Sequence, residues 1–94
     1  MIDMSHGNSN KQFKKQLLVN RDLCNQISSG SKSIIGVMIE SNLIEGNQSS
    51  DKKDKLKYGQ SITDACVGWE DTEVMLNLLS NAVKNRRQNM KVSA

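Results

Sequence analysis

The sequence predicts an α/β chain of two consecutive strand–helix units belonging to a larger parallel-sheet fold. Three observations point there. Apolar residues recur at helical spacing in a segment placed at 10–29 and again at 71–89. Between these helices lies an unbroken apolar run, Ile34-Ile35-Gly36-Val37-Met38-Ile39, too short for a helix and rich in β-branched residues. A long polar segment then separates that run from the second helix.

Residues 1–5 read as the end of a first strand, followed by His6. Asn8, Ser9 or Asn10 offers a helix N-cap. In the helix at 10–29, Phe13, Leu17, Cys24 and Ile27 fall on one side with Leu18 and Leu23 beside them, while Lys and Gln fill the other. Ser28-Ser29-Gly30 ends it, with Gly30 suited to the left-handed cap position. The second strand is expected over 33–40, buried on both faces, with Glu40 at its C-terminal end.

Residues 41–70 are read as a long irregular loop. It holds turn chemistry at Gly46-Asn47-Gln48-Ser49-Ser50 and a charged stretch from Asp51 to Lys57. In the final helix, 71–89, Val74, Met75, Leu78, Leu79, Ala82 and Val83 supply the apolar face. Lys84, Arg86 and Arg87 sit in its last turns, where cations suit the helix dipole, and the tail from Asn89 is expected to fray. Two parallel strands cannot close a barrel, and an open pair leaves apolar surface wet.

Composition narrows the function classes. The chain has 94 residues and an apolar fraction of 36%, which limits it to one small domain or a part of one. Net charge is +3, with basic clusters at Lys11, Lys14 and Lys15, at Lys52, Lys53, Lys55 and Lys57, and at Lys84, Arg86 and Arg87. These read as solvated faces. With no aromatics interleaved to stack bases, no nucleic-acid partner is expected. Cys24 and Cys66 are far apart and form no C-x-x-C, so no disulfide scaffold is read and a cytoplasmic location is expected. The N-terminus lacks an apolar signal core, and no run is long enough to span a membrane.

Three residues occupy comparable places. His6 follows the first strand, Glu40 ends the second, and Asp64 lies in the loop before the last helix. In α/β barrels the chemistry sits at strand C-termini. One imidazole with two carboxylates suits a divalent transition metal. The spacing alone matches no short metal motif. A hydrogen-bonded structural histidine, a lysine-paired Glu40 and a turn residue at Asp64 stand as the plainer readings. Cys66 as a nucleophile with His6 as base is a further reading. Gly68-Trp69-Glu70-Asp71 reads either as a binding surface or, with Trp69 packing the last helix onto the sheet, as core.

Three longer motifs carry a resemblance. Asp3-Met4-Ser5-His6-Gly7-Asn8-Ser9 with Lys11-Gln12, then Ile35-Gly36-Val37-Met38-Ile39-Glu40-Ser41 with Leu43 and Glu45-Gly46-Asn47-Gln48, then Tyr58-Gly59 with Ser61-Ile62-Thr63-Asp64-Ala65-Cys66 and Gly68-Trp69-Glu70-Asp71-Thr72, stand in order. Together with Asn81-Ala82-Val83-Lys84 and Arg86-Arg87 they resemble the C-terminal segment of the class I (enteric, aromatic-regulated) 3-deoxy-D-arabino-heptulosonate 7-phosphate (DAHP) synthases, over nearly the whole chain. That resemblance implies a (β/α)8 TIM-barrel family, this chain being its last two βα units. It implies a transferase that condenses phosphoenolpyruvate with erythrose 4-phosphate to DAHP and phosphate, opening the shikimate pathway to aromatic amino acids. It also implies one divalent metal ion, Mn, Fe, Co or Zn, with His6, Glu40 and Asp64 among its ligands.

The family pattern also contains groups that this sequence does not carry. These are a cysteine that serves as a fourth ligand, the Arg and Lys residues that clamp the substrates' phosphates, and segments linked to oligomer formation and feedback. Gly7 stands where the family commonly has Ala, and Asp51 to Lys57 is more lysine-rich than the pattern. A whole barrel takes about 250 residues. The chain is therefore expected to be inactive alone and to work with the remainder of the barrel, in a parent that is a homo-oligomer. The alternatives are a non-catalytic truncated relic of that enzyme and a small basic binding module.

Overall fold

A computed structural model describes residues 1–9, 12–51 and 53–92. The N-cap candidate Asn10, the basic residues Lys11 and Lys52, and the side chains of Asn8, Ser9 and Lys53 lie outside what is described. The element order is β1 (Ile2–Asp3), α1 (His6–Ser9), α2 (Lys15–Ser28), β2 (Val37–Met38), a short 3-10 turn (Lys53–Lys55) and α3 (Trp69–Val92).

β1 and β2 pair in parallel, Ile2 opposite Val37 and Asp3 opposite Met38. The N–H of Ile2 donates to Gly36 O and that of Met4 to Met38 O, both at 2.9 Å. So short a ladder contributes little by itself. Its stability comes from α2 and α3, which pack against each other and over one face of the strand pair. Met4, Leu23, Ile27, Ile34, Val67, Met75 and Ala82 form the buried core there, flanked by Phe13, Leu17, Cys24, Val37, Ile39, Leu79 and Val83. The radius of gyration, 15.9 Å, exceeds the about 12 Å of a compact domain of this length. The 24 residues of α3 extend for about 36 Å and account for the elongation.

Several expectations are corrected. α2 starts at Lys15, with Lys14 at the cap position and no side-chain cap bond, and the N-cap candidates Asn8 and Ser9 lie instead in the separate short helix α1. The stripe that α2 buries is Gln16, Asn20, Leu23 and Ile27, two of them polar, while Leu18 is exposed. β2 is two residues long instead of spanning 33–40; its two residues are half-buried, and Ile35, in the part of the apolar run before it, is 84% exposed. Among the described residues, α2 and α3 supply the helical side chains that pack with the strand pair. α3 begins at Trp69 and runs past Asn89 to Val92. The Asn89 side chain donates to Ser28 O at 2.8 Å, so this turn is tied to α2.

The junction between α2 and β2 is secured by carbonyl capture from two directions. α2 ends in a Schellman arrangement, Gly30 N–H to Ile27 O and Ser31 N–H to Gln26 O, with Gly30 at φ 105°. Arg86, read from the sequence as a helix-dipole cation, instead reaches across and donates to Ser31 O at 3.0 Å and Ile34 O at 2.9 Å, fixing the chain between α2 and β2.

The segment 41–68 is less irregular than its composition suggests. Isolated bridges join Ser41 to Val67, Gly46 to Cys66 and Asn47 to Ser61. The chain leaves β2, turns, and returns alongside itself. Gln48 fastens the turn, accepting from Lys57 N–H at 2.9 Å and donating to Lys57 O and Gln60 O. Gly59, at φ 80°, lies so close to Leu43 that an added Cβ would sit 2.8 Å from the Leu43 Cβ.

Candidate metal centre

The strand register places Ser5 across from Glu40, just beyond the ladder. His6 follows immediately, so both residues emerge from the same end of the strand pair. Asp64 arrives by a different route. Val67 N–H donates to Glu40 O at 3.0 Å, Gly46 and Cys66 exchange backbone bonds, and Asn47 Nδ2 donates to Thr63 O at 2.9 Å. These bonds hold the returning loop against the strand end and set Asp64 beside the other two.

The three side chains meet. His6 Nε2 lies 2.8 Å from Glu40 Oε1 and 3.1 Å from Asp64 Oδ2. One donor atom from each residue fits within 4.8 Å of the others. Ser5, Phe13, Gln16, Asn47, Thr63 and Ala65 complete the walls of the cleft around them. Glu40 is the most enclosed of the three, and Asp64 the most exposed.

Asp3 sets the imidazole. Its Oδ2 lies 2.9 Å from His6 Nδ1, and its Oδ1 accepts the Ser5 N–H at 2.8 Å and the Ser5 hydroxyl. With Nδ1–H donating to Asp3, the neutral ring keeps its Nε2 lone pair aimed at the two carboxylates. His6 itself takes φ 50°, a left-handed conformation uncommon for a residue with a side chain. The hydrogen bond the ring donates to Asp3, then the one it donates to Asp64, and the charge of Glu40 raise the His6 pKa above its ordinary value. The Ser5 and His6 hydrogen bonds lower that of Asp3. Without a cation, the cluster is a histidine facing three carboxylates, which favours the imidazolium.

The geometry weakens the competing readings. Cys66 directs its thiol toward Asp64 O at 3.6 Å. Burial, and then the negative charges of Glu40 and Asp64, push that thiol's pKa up, the opposite of an activated nucleophile. Trp69 is 49% exposed at the start of α3, where it borders a shallow groove with Leu43, Glu45 and Lys14 instead of packing the helix onto the sheet. Among the described residues Glu40 meets the imidazole and no lysine.

Sequence reasoning passed over two contributors. Asp3 is visible in Asp3-Met4-Ser5-His6, an acid three positions before a histidine, but nothing in that spacing alone shows that its side chain meets the ring. Gln16 is 0% exposed and bonds both backbone groups of Glu40, Nε2 to Glu40 O at 3.1 Å and Glu40 N–H to Oε1 at 3.0 Å. The signal for it was a polar residue on the same helical stripe as Leu23 and Ile27.

Comparison with known proteins gives a consistent set of matches. The model of the DAHP synthetase I family matches residues 1–77. The Phe-sensitive phospho-2-dehydro-3-deoxyheptonate aldolase of Escherichia coli K12 is 63% identical over 87 residues, covering 93% of this chain and 25% of that protein. The phenylalanine-inhibited aldolase of that name from Saccharomyces cerevisiae is 53% identical, covering 97% of this chain and 25% of its own. The structure of phospho-2-dehydro-3-deoxyheptonate aldolase from Francisella tularensis SCHU S4 superposes with a TM-score of 0.85 at 53% identity, over 90% of this chain and 25% of that one. The chain spans about a quarter of the length of the relatives it matches. No described helix is long and apolar enough to cross a membrane.

Proposed function

This chain belongs to the DAHP synthetase I family, and from that premise we propose that it is the C-terminal segment of such a transferase, supplying the last two βα units of a (β/α)8 barrel and three ligands of its divalent metal. The observation that carries the reading is the meeting of His6 Nε2, Glu40 Oε1 and Asp64 Oδ2 at one strand end.

The residues suit such an ion. One imidazole nitrogen and two carboxylate oxygens converge, His6 Nε2 lying 2.8 Å from Glu40 Oε1 and 3.1 Å from Asp64 Oδ2, a mixed donor set of the kind divalent transition metals accept. The two carboxylates balance a charge of +2. The Asp3 carboxylate fixes the ring tautomer from outside, the usual arrangement around a ligating histidine. Mn, Fe, Co and Zn all accept this donor set, and by the family resemblance a cysteine elsewhere in the complete enzyme would be a fourth ligand.

In the complete enzyme the reaction is the condensation of phosphoenolpyruvate with erythrose 4-phosphate to DAHP and phosphate. A divalent ion held by His6, Glu40 and Asp64 would supply Lewis acidity toward the aldehyde oxygen. The chain's own residues hold and orient. Glu40 and His6 are set by the strand ends, Asp64 by the returning loop, and Asp3 by Ser5. The groups that clamp the phosphates, and the remainder of the barrel, come from outside these residues.

Manganese binding tests the ligand set. The electron paramagnetic resonance signal of free Mn2+ is followed as the chain is titrated, unaltered and with His6→Ala, Glu40→Ala or Asp64→Ala. Each substitution is expected to return the signal of the free ion. A variant that binds like the unaltered chain removes its residue from the set.

A further inference from the structure

We propose that Gln16 is a positioning residue for the metal centre, its side-chain amide standing in for a neighbouring peptide to set the backbone from which Glu40 projects. This rests on the metal reading of His6, Glu40 and Asp64, and extends it to a residue outside the ligand set.

Glu40 lies two residues beyond the end of β2, past the last ladder bond to β1. Its N–H and carbonyl therefore have no partner from β1. Gln16 reaches up from the first turns of α2 and supplies both: Oε1 accepts the Glu40 N–H at 3.0 Å, and Nε2 donates to Glu40 O at 3.1 Å. On the other side Val67 N–H reaches the same carbonyl at 3.0 Å. The Glu40 peptide is thus gripped between a helix side chain and the returning loop that carries Asp64.

The chemistry of this grip is specific. A fully buried amide is costly unless its donors and acceptors are met, and a leucine would fill the same helical stripe with less risk. Only a side chain with a donor and an acceptor at this reach satisfies both backbone groups of Glu40 at once. Gln16 also lines the cleft itself, beside His6 and Glu40. Asn20, one turn further along α2 and equally buried, provides the contrast. It donates to Met75 O at 3.4 Å, on α3, and touches none of the three ligands. A purely structural role for Gln16 predicts that it behaves like Asn20.

The test is cobalt binding by the full chain, read from the visible absorption of bound Co2+, with Gln16→Met, Asn20→Leu and His6→Ala compared to the unaltered protein. Helicity of the metal-free chains is measured alongside. The expected result is that Gln16→Met weakens Co2+ binding by about ten- to a hundred-fold and changes the band shape at saturation, with metal-free helicity retained. Asn20→Leu alters thermal stability but leaves the saturated spectrum as it was. Gln16→Glu, which keeps an acceptor for the Glu40 N–H, is expected to recover the unaltered band shape in part. If Gln16→Met gives the unaltered affinity and spectrum while His6→Ala loses binding, the ligand set stands and the role of Gln16 is overturned. If His6→Ala binds cobalt as well as the unaltered chain, the metal reading falls and this proposal falls with it.

Discussion

Replacing Asp3 by asparagine changes one atom and should cost the chain most of its affinity for a divalent metal. The native carboxylate has both oxygens engaged, Oδ1 with the N–H and hydroxyl of Ser5, Oδ2 with His6 Nδ1 at 2.9 Å. An asparagine has one carbonyl oxygen. If that oxygen stays with Ser5, the amide NH2 faces Nδ1, and two donors meet unless the imidazole carries its proton on Nε2. That tautomer turns an N–H, and not a lone pair, toward Glu40 Oε1 and Asp64 Oδ2. Outer-shell changes of this kind weaken metal binding about 10–100-fold, or about 1.4–2.7 kcal/mol. Isothermal titration with Mn2+ at neutral pH reads the change directly. A dissociation constant equal to that of the unaltered chain would refute the reasoning, because it would mean that Asp3 does not set the ring.

Three further outcomes are expected. The folded-state pKa of His6 is raised above 6.5, so its contribution to the stability of the metal-free chain is fully present below pH 6.5 and is lost as pH rises through the raised value; urea midpoints across that range should fall with pH, and His6→Gln should remove that part of the slope. Gly59→Ala puts a Cβ 2.8 Å from that of Leu43 at φ 80°, and should destabilise the returning loop by about 1–3 kcal/mol, seen as faster amide exchange at 57–66. Met75→Ala empties a fully buried position on α3 and should cost about 2–5 kcal/mol in urea denaturation.

What could be read from the sequence follows what short-range pattern carries. The helical spacing around Leu23, Ile27, Met75 and Ala82 reflects burial against one neighbour, and these residues form the core. The apolar run at Ile34 to Ile39 signalled a strand, but the exposure of Ile35 could not be read, because it depends on whether another layer covers that face and not on the run itself. Gln16 and Asn20 were hidden for the opposite reason: a polar residue on a buried stripe looks like noise until its partner, on another element, is known. His6 and Glu40 could be placed because strand ends are local features. Asp64 could be named but not placed, since its position depends on the Gly46–Cys66 and Asn47–Ser61 bridges that fold the loop back. Trp69 misled because size suggests burial, whereas here the residue opens a helix at the surface.

The most direct test of the proposal as a whole is DAHP formation from phosphoenolpyruvate and erythrose 4-phosphate, with manganese present, by this chain co-expressed with the rest of a related synthase. Activity that requires both parts, and that disappears with His6→Ala in this one, is the expected result. No activity from a soluble chain and a folded partner would contradict it, and would favour a relic that kept the ligands without the reaction.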